Sequence, residues 1–246
     1  MNEIFNFNRF SRIFAVDLNR IVREYGLTFI VLCLSEAIIY IIASLVMLTA
    51  GKGTVTLEDV MRDMIFEMSQ FALILTMPQK CYGMITDRRK GAAYLTIPAS
   101  SFEKTLSMIL FTAVIVPVLF VLITKCIDTT LYTLIPGAIE KYDYIQKTGI
   151  DAPIGANISM IASEMPTMLL GAIYFKKGKA IKTLLFCSAV TIILYVLLSI
   201  LSNGNIEIDE MISNINTTVI LKRTINYTII AAMCVWVYFR VRKIQQ

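Results

Sequence analysis

The chain contains no histidine. That absence excludes histidine-dependent metalloproteases, Ser/His intramembrane proteolysis and histidine-ligated haem. Charge is scarce as well. Only 17% of the 246 residues are Asp, Glu, Lys or Arg, against about 25% in a typical soluble domain. The five cysteines (33, 81, 126, 187, 234) are scattered and odd in number. None of them pairs at metal or redox spacing, so they read as small apolar packing residues. No Gly-x-x-x-Gly helix-pairing motif and no Gly-x-Ser-x-Gly nucleophile elbow occurs. The nearest approach to a phosphate loop, Gly171 to Gly178-Lys179, has six intervening residues and then Ala180. A working loop has four, followed by a Ser or Thr for magnesium, so ATP binding by a P-loop is excluded. The first 26 residues carry Arg9, Arg12, Arg20 and Arg23 without a short apolar core or a small-residue cleavage site, so no secretory signal peptide is expected.

What the chain has is apolar length. Hydrophobic residues make up 57% of it, and its mean hydropathy is +0.69. Six apolar stretches, 27–49, 64–84, 105–124, 155–175, 180–202 and 218–239, approach the ~20 residues that cross a bilayer as a helix. The pattern predicts an all-α integral membrane protein with six transmembrane helices in a single domain, 1–246. Within it, 1–26 is an amphipathic interfacial helix, 27–239 the six-span bundle and 240–246 a basic tail. No length remains for a soluble catalytic domain, and the chain is expected not to be an enzyme.

Lys and Arg alternate between loops. With the N-terminus in the cytoplasm, the inner segments 1–26, 79–104, 176–182 and 240–246 hold four, five, four and three; the outer segments hold two, three and two. This obeys the positive-inside rule at every loop and puts both termini in the cytoplasm. The net charge of +5 then reflects orientation in the membrane, and no nucleic-acid partner is expected.

Within residues 4–25, Phe7, Phe10, Phe14, Leu18, Ile21 and Tyr25 recur at steps of three and four, with Arg9, Arg12, Arg20 and Arg23 towards the polar side. A basic amphipathic helix of this kind lies in the membrane interface with its arginines near anionic headgroups. It could also touch a cytoplasmic partner.

Several polar residues fall inside the apolar stretches, where a charge costs about 2.5–3.5 kcal/mol on insertion scales. The first stretch carries Glu36; the second carries Asp63, Glu67 and Gln70 on one face; the fourth carries Ser159, Ser163, Glu164 and Thr167; the fifth carries Ser188, Thr191, Tyr195, Ser199 and Ser202. These stripes have two readings. One is a translocation path, with Glu67, Gln70, Ser188, Thr191 and Tyr195 lining it. The other is helix–helix glue, hydroxyls bonding across a bundle or back to their own carbonyls. Pro78, Pro117 and Pro166 each remove a backbone hydrogen bond and kink or shape their helices.

The polar island Thr86–Lys104, TDRRKGAAYLTIPASSFEK, is the richest segment. Arg88, Arg89 and Lys90 follow the second stretch. Gly91 permits a turn or a close approach. Tyr94, Leu95 and Ile97 form an apolar strip that Pro98 ends. Ser100 then caps a new helix, with Glu103 three residues on as in a capping box. The combination of Arg89, Gly91, the Leu95–Ser100 element LTIPAS and Lys104 resembles the loop between spans two and three in the membrane subunits of type-2 export-family ABC transporters, especially short permease-like proteins of Bacteroidetes. The hairpin Phe175-Lys176-Lys177 with Lys182-Thr183, and the basic tail after Trp236, fit the same likeness. Ile97 departs from it, standing where the family has Leu.

The resemblance implies a permease subunit in a bacterial cytoplasmic (inner) membrane. It would pair with a second permease subunit, with spans two and five lining the path. A separate P-loop ATPase would carry ATP and magnesium, and this chain would hold no cofactor or metal. The ATPase would dock at the N-terminal helix and at Arg88, Arg89, Gly91, Leu95, Pro98, Ser100, Glu103 and Lys104. Two other classes fit the composition: a non-transporting immunity, sensor or assembly protein, and a proton-coupled secondary transporter acting through Glu67.

Overall fold

The computed structural model describes residues 5–50, 59–87, 91, 94, 96–134, 153–201 and 215–245. Among these the regular elements are all helices, with no strand. The helices are α1 (Phe7–Cys33), α2 (Ser35–Thr49), α3 (Asp59–Tyr82), α4 (Ser101–Ile109), α5 (Val116–Leu134), α6 (Ile154–Tyr174), α7 (Lys179–Leu201) and α8 (Ile215–Gln245). A 3-10 turn, Gly83–Thr86, closes α3, and a π-helical segment, Leu110–Ile115, joins α4 to α5.

The amphipathic helix does not stop at residue 26. It continues through Gly26 to Cys33, and the break comes at Leu34, where α1 and α2 meet at 50°. The Ser35 hydroxyl donates to the Leu32 carbonyl at 2.8 Å, a side-chain bond that competes with the backbone ladder and favours a bend. The buried face of α1 also differs from the expected stripe. Ile13, Asp17 and Tyr25 are buried, whereas Phe7 and Leu18 are exposed.

Helix α6 is the hub of the bundle. Helices α3, α5, α7, α8 and the π segment all pack on it, and Ile161, Met165, Leu169, Ala172 and Ile173 on it are fully buried. Two features of the backbone answer to particular residues. Pro117 has no N–H to give the carbonyl one turn earlier, and the π segment ends just before it, widening the helix where that bond is missing. Thr112 in that segment donates its hydroxyl to the Met108 carbonyl at 2.8 Å. At Gly171 a β-carbon would overlap the Thr183 side chain, so glycine lets α6 and α7 cross in contact.

One continuous stretch, Ser101–Leu131, is long and apolar enough to cross a membrane, with a mean hydropathy of 2.9 over its most apolar window. The bent pair α1–α2 meets the same criterion if counted as one span. Among the described residues, the six expected spans thus reduce to one or two that qualify by length and composition. Helix α3 carries Arg62, Asp63, Glu67, Gln70, Gln79 and Lys80, and these polar residues lower its mean hydropathy.

Candidate functional site

Two polar clusters tie the helices together, one at each end of the bundle. The larger lies where α1 and α4 begin and where α3, α6 and α8 end. Phe102 on α4 meets Tyr238 on α8 there, edge to face at 6.4 Å.

Glu103 organises this end. Ser100 has extended backbone, and its hydroxyl accepts from the Glu103 N–H at 3.1 Å, while Glu103 Oε2 accepts from the Ser100 N–H at 2.8 Å. This is the capping box expected from the spacing. The second carboxylate oxygen does more. Oε1 accepts from the backbone N–H of Asn6 at 2.7 Å and faces Arg9 Nη2 at 3.3 Å. Asn6 is the N-cap of α1, its side chain accepting from the Asn8 N–H at 3.0 Å. One fully buried carboxylate therefore completes the starts of two helices, where exposed N–H groups and the helix dipole favour negative charge.

Asp17 forms the second knot. It is buried on α1, ahead of the stretch 27–49, and accepts from Ser107 Oγ at 2.6 Å and from the Tyr94 hydroxyl at 3.3 Å. Arg20 Nη1 lies 3.1 Å from its other oxygen, and the Arg20 guanidinium sits 4.4 Å above the Tyr94 ring. Burial pushes the Asp17 carboxyl up to about 6, against the opposing pull of Ser107, Arg20 and Tyr94. Lys104 is fully buried, its Nζ 5.9 Å from the centre of the same Tyr94 ring. Gly91 is buried too. A β-carbon there would overlap the Ile85 carbonyl of the 3-10 turn, so the close approach expected of this glycine is present.

The turn after α3 is also bound to the α6–α7 turn. Lys179 donates to the Gly83 carbonyl, and Thr86 Oγ1 lies 3.0 Å from that carbonyl and 3.4 Å from the Phe175 carbonyl. Burial pushes the Lys179 ammonium below its ordinary value, partly countered by Asp87. Gly178 has φ +60, a left-handed conformation that lets the chain reverse in so few residues.

Arg88, Arg89 and Leu95 lie outside the described residues. Pro98 is exposed. Of the arginines assigned to the lipid interface, Arg12 and Arg23 are exposed, Arg20 pairs with the buried Asp17, and Arg9 pairs with Glu103 while its side chain stays 40% exposed. For the expected path, Gln70 is buried and Glu67 is exposed. Ser188 is exposed and donates to the Leu185 carbonyl of its own helix at 3.0 Å. The side chains of Thr191 and Tyr195 lie outside the described residues. The hydroxyls of Ser159, Ser163 and Thr167 on α6 all bond back to their own helix as well.

At the opposite end Arg62 stands between two carboxylates. Its Nη2 and Nε lie 2.6 and 3.2 Å from Asp128 Oδ1, and Nε lies 3.5 Å from Glu36 Oε1. All three are buried. The cluster pins α2, α3 and α5 to one another, and a buried carboxylate pair of this kind is tolerable only with the cation in place.

Sequence reasoning missed Asp17, Ser107, the Tyr94 hydroxyl, Arg62 and Asp128. Asp17 had a readable signal. It lies four residues after Ile13 and four before Ile21, an acid in register with apolar residues. Arg62 and Asp128 had none, because each sits at the edge of an apolar stretch, where a charge is ordinary. No protein-family profile, curated protein or solved structure matches the chain.

Proposed function

We propose that the chain is the permease subunit of an ATP-driven exporter. It is embedded by six spans in a bacterial cytoplasmic membrane with both termini inside, pairs with a second permease subunit and is powered by a separate P-loop ATPase. The observation that carries this reading is the basic-end cluster. The N-terminal helix and the loop after α3, the two elements at which the family resemblance puts the ATPase, are joined into one unit by Glu103–Asn6, Glu103–Arg9 and Asp17–Tyr94–Ser107. A push on either element would move both, and through α4 the long apolar helix behind them.

In this reading the coupling residues divide in two. Glu103 and Lys104 are fully buried, so they hold the loop's shape. Arg88 and Arg89 are the residues assigned to contact with the ATPase. The exposed Glu67, flanked by exposed Met64, Met68 and Phe71 on α3, suits a face that a second subunit covers, with the path between the two. The test is purification of the tagged chain from its native membranes in mild detergent. A P-loop ATPase at about one copy per chain supports the proposal, and a pure chain with no ATPase under any mild condition removes it. A non-transporting immunity, sensor or assembly protein is the second reading. It is favoured by the hydroxyls of Ser159, Ser163, Thr167 and Ser188, which satisfy themselves within their own helices and so need no cargo.

A further inference from the structure

A cavity of about 250 Å³ lies between α6, α7 and α8. Gly171, Thr183, Cys187, Met233 and Trp236 line it, and its walls are almost wholly apolar. Phe186, which also lines it, is more than half exposed. Water would find few of the two to four polar partners it needs in such a space.

One end of the cavity has a different chemistry. Tyr174 and Trp236 stand there, each about half exposed. Arg240 follows Trp236 by one helical turn on the same face of α8. Its guanidinium lies 4.9 Å above the Tyr174 ring, and its Nε is buried without a hydrogen-bond partner. Arg242 and Lys243 complete the last turn. Half-wet aromatic rings beside a cation mark the headgroup level of a membrane, and basic side chains there attract anionic lipid at about 1 kcal/mol each.

We infer that this cavity holds one acyl chain of an anionic phospholipid from the leaflet at the basic end, with the lipid phosphate on Arg240. The site rests on the membrane reading given above, though not on the identity of any ATPase. An apolar tail fills the space that water would not, and the phosphate oxygens accept from the outer N–H groups of the Arg240 guanidinium, whose side chain is only partly buried.

The chain's single tryptophan lines the cavity and reports on it directly. The full chain is reconstituted in vesicles containing either phosphatidylglycerol or phosphatidylcholine brominated on the acyl chains, and Trp236 fluorescence is read. Brominated phosphatidylglycerol is expected to quench at a mole fraction about fivefold lower than brominated phosphatidylcholine, and Arg240→Gln to abolish that preference. Cys187→Phe, which fills the cavity while leaving Arg240 intact, is expected to weaken quenching by phosphatidylglycerol. Equal quenching by the two lipids, unchanged in Arg240→Gln, overturns the site. Absence of quenching by either lipid overturns it too, and shows Trp236 covered by protein, as a second copy of the chain would cover it. A chain that does not float with the vesicles overturns the membrane reading itself.

Discussion

Glu103 accepts a hydrogen bond from the backbone N–H of Asn6, 97 positions earlier, while completing the capping box of its own helix with Ser100. The start of α1 and the start of α4 are therefore one structural unit. In a membrane, where lipid tails are as apolar as the helices, packing and polar bonds between helices carry much of the specificity. A carboxylate that serves two helix termini is an economical bond of that kind.

Glu103→Ala removes the acceptor of the Asn6 and Ser100 backbone N–H groups at the starts of both helices and is expected to lower stability by about 2 kcal/mol. Glu103→Gln keeps an acceptor and loses the charge toward Arg9, so its loss is smaller. Thermal melts of the purified protein in detergent check the order wild type, Gln, Ala. An Ala variant that melts with the wild type removes the tie.

Asp17 predicts a pH dependence. Its value in the folded chain, about 6, lies above that of a free aspartate, about 3.9. The folded state therefore holds more protons between these values, and the stability from this group falls as pH rises from about 4 through about 6 and is level above. Asp17→Asn cannot ionise. The melting temperature of Asp17→Asn minus that of the wild type should rise over that window and then flatten. A difference that does not change with pH contradicts the buried, protonated carboxyl.

Arg62→Ala leaves Glu36 and Asp128 buried without their cation and is expected to cost about 3–5 kcal/mol, seen as aggregation or loss of the monodisperse species on size exclusion. The triple variant Glu36→Gln, Arg62→Met, Asp128→Asn removes all the charge at once and should recover most of that loss. An Arg62→Ala chain as stable as wild type would show that the cluster does not hold α2, α3 and α5.

Gly171→Val drives a side chain into Thr183. Thr183→Ala removes Oγ1 and Cγ2, the two nearest of the three overlapping atoms, so the double variant should be more stable than the sum of the two single changes implies, with a coupling of roughly 0.5–3 kcal/mol. Additive effects would mean that the two helices do not cross here.

What the sequence revealed was local or periodic. The capping box needed only Ser100 and Glu103 three positions apart, and Gly91 was readable because glycine often marks a close approach. Helix content followed from apolar runs. The Asn6–Glu103 bond joins distant segments of ordinary composition, and no local spacing announces it. The expected end of α1 at residue 26 follows the start of the apolar stretch 27–49, whereas the bend falls at Leu34, eight residues later, where Ser35 bonds to the Leu32 carbonyl. Arg9 and Arg20 were assigned to lipid with Arg12 and Arg23 because helical periodicity gives a side chain's direction and not its partner. Two of them pair with the acids Glu103 and Asp17, which lie on other turns or helices and which periodicity does not reveal.

In the proposed exporter an ATPase would drive this chain through the unit formed by α1 and the loop after α3. ATP hydrolysis by the reconstituted complex, comparing wild type with Arg88→Ala/Arg89→Ala, tests it most directly. The wild-type chain is expected to bind a P-loop ATPase and change its hydrolysis rate, and the double variant, folded and membrane-inserted, to lose both effects. An ATPase that binds and hydrolyses equally with both chains would contradict it.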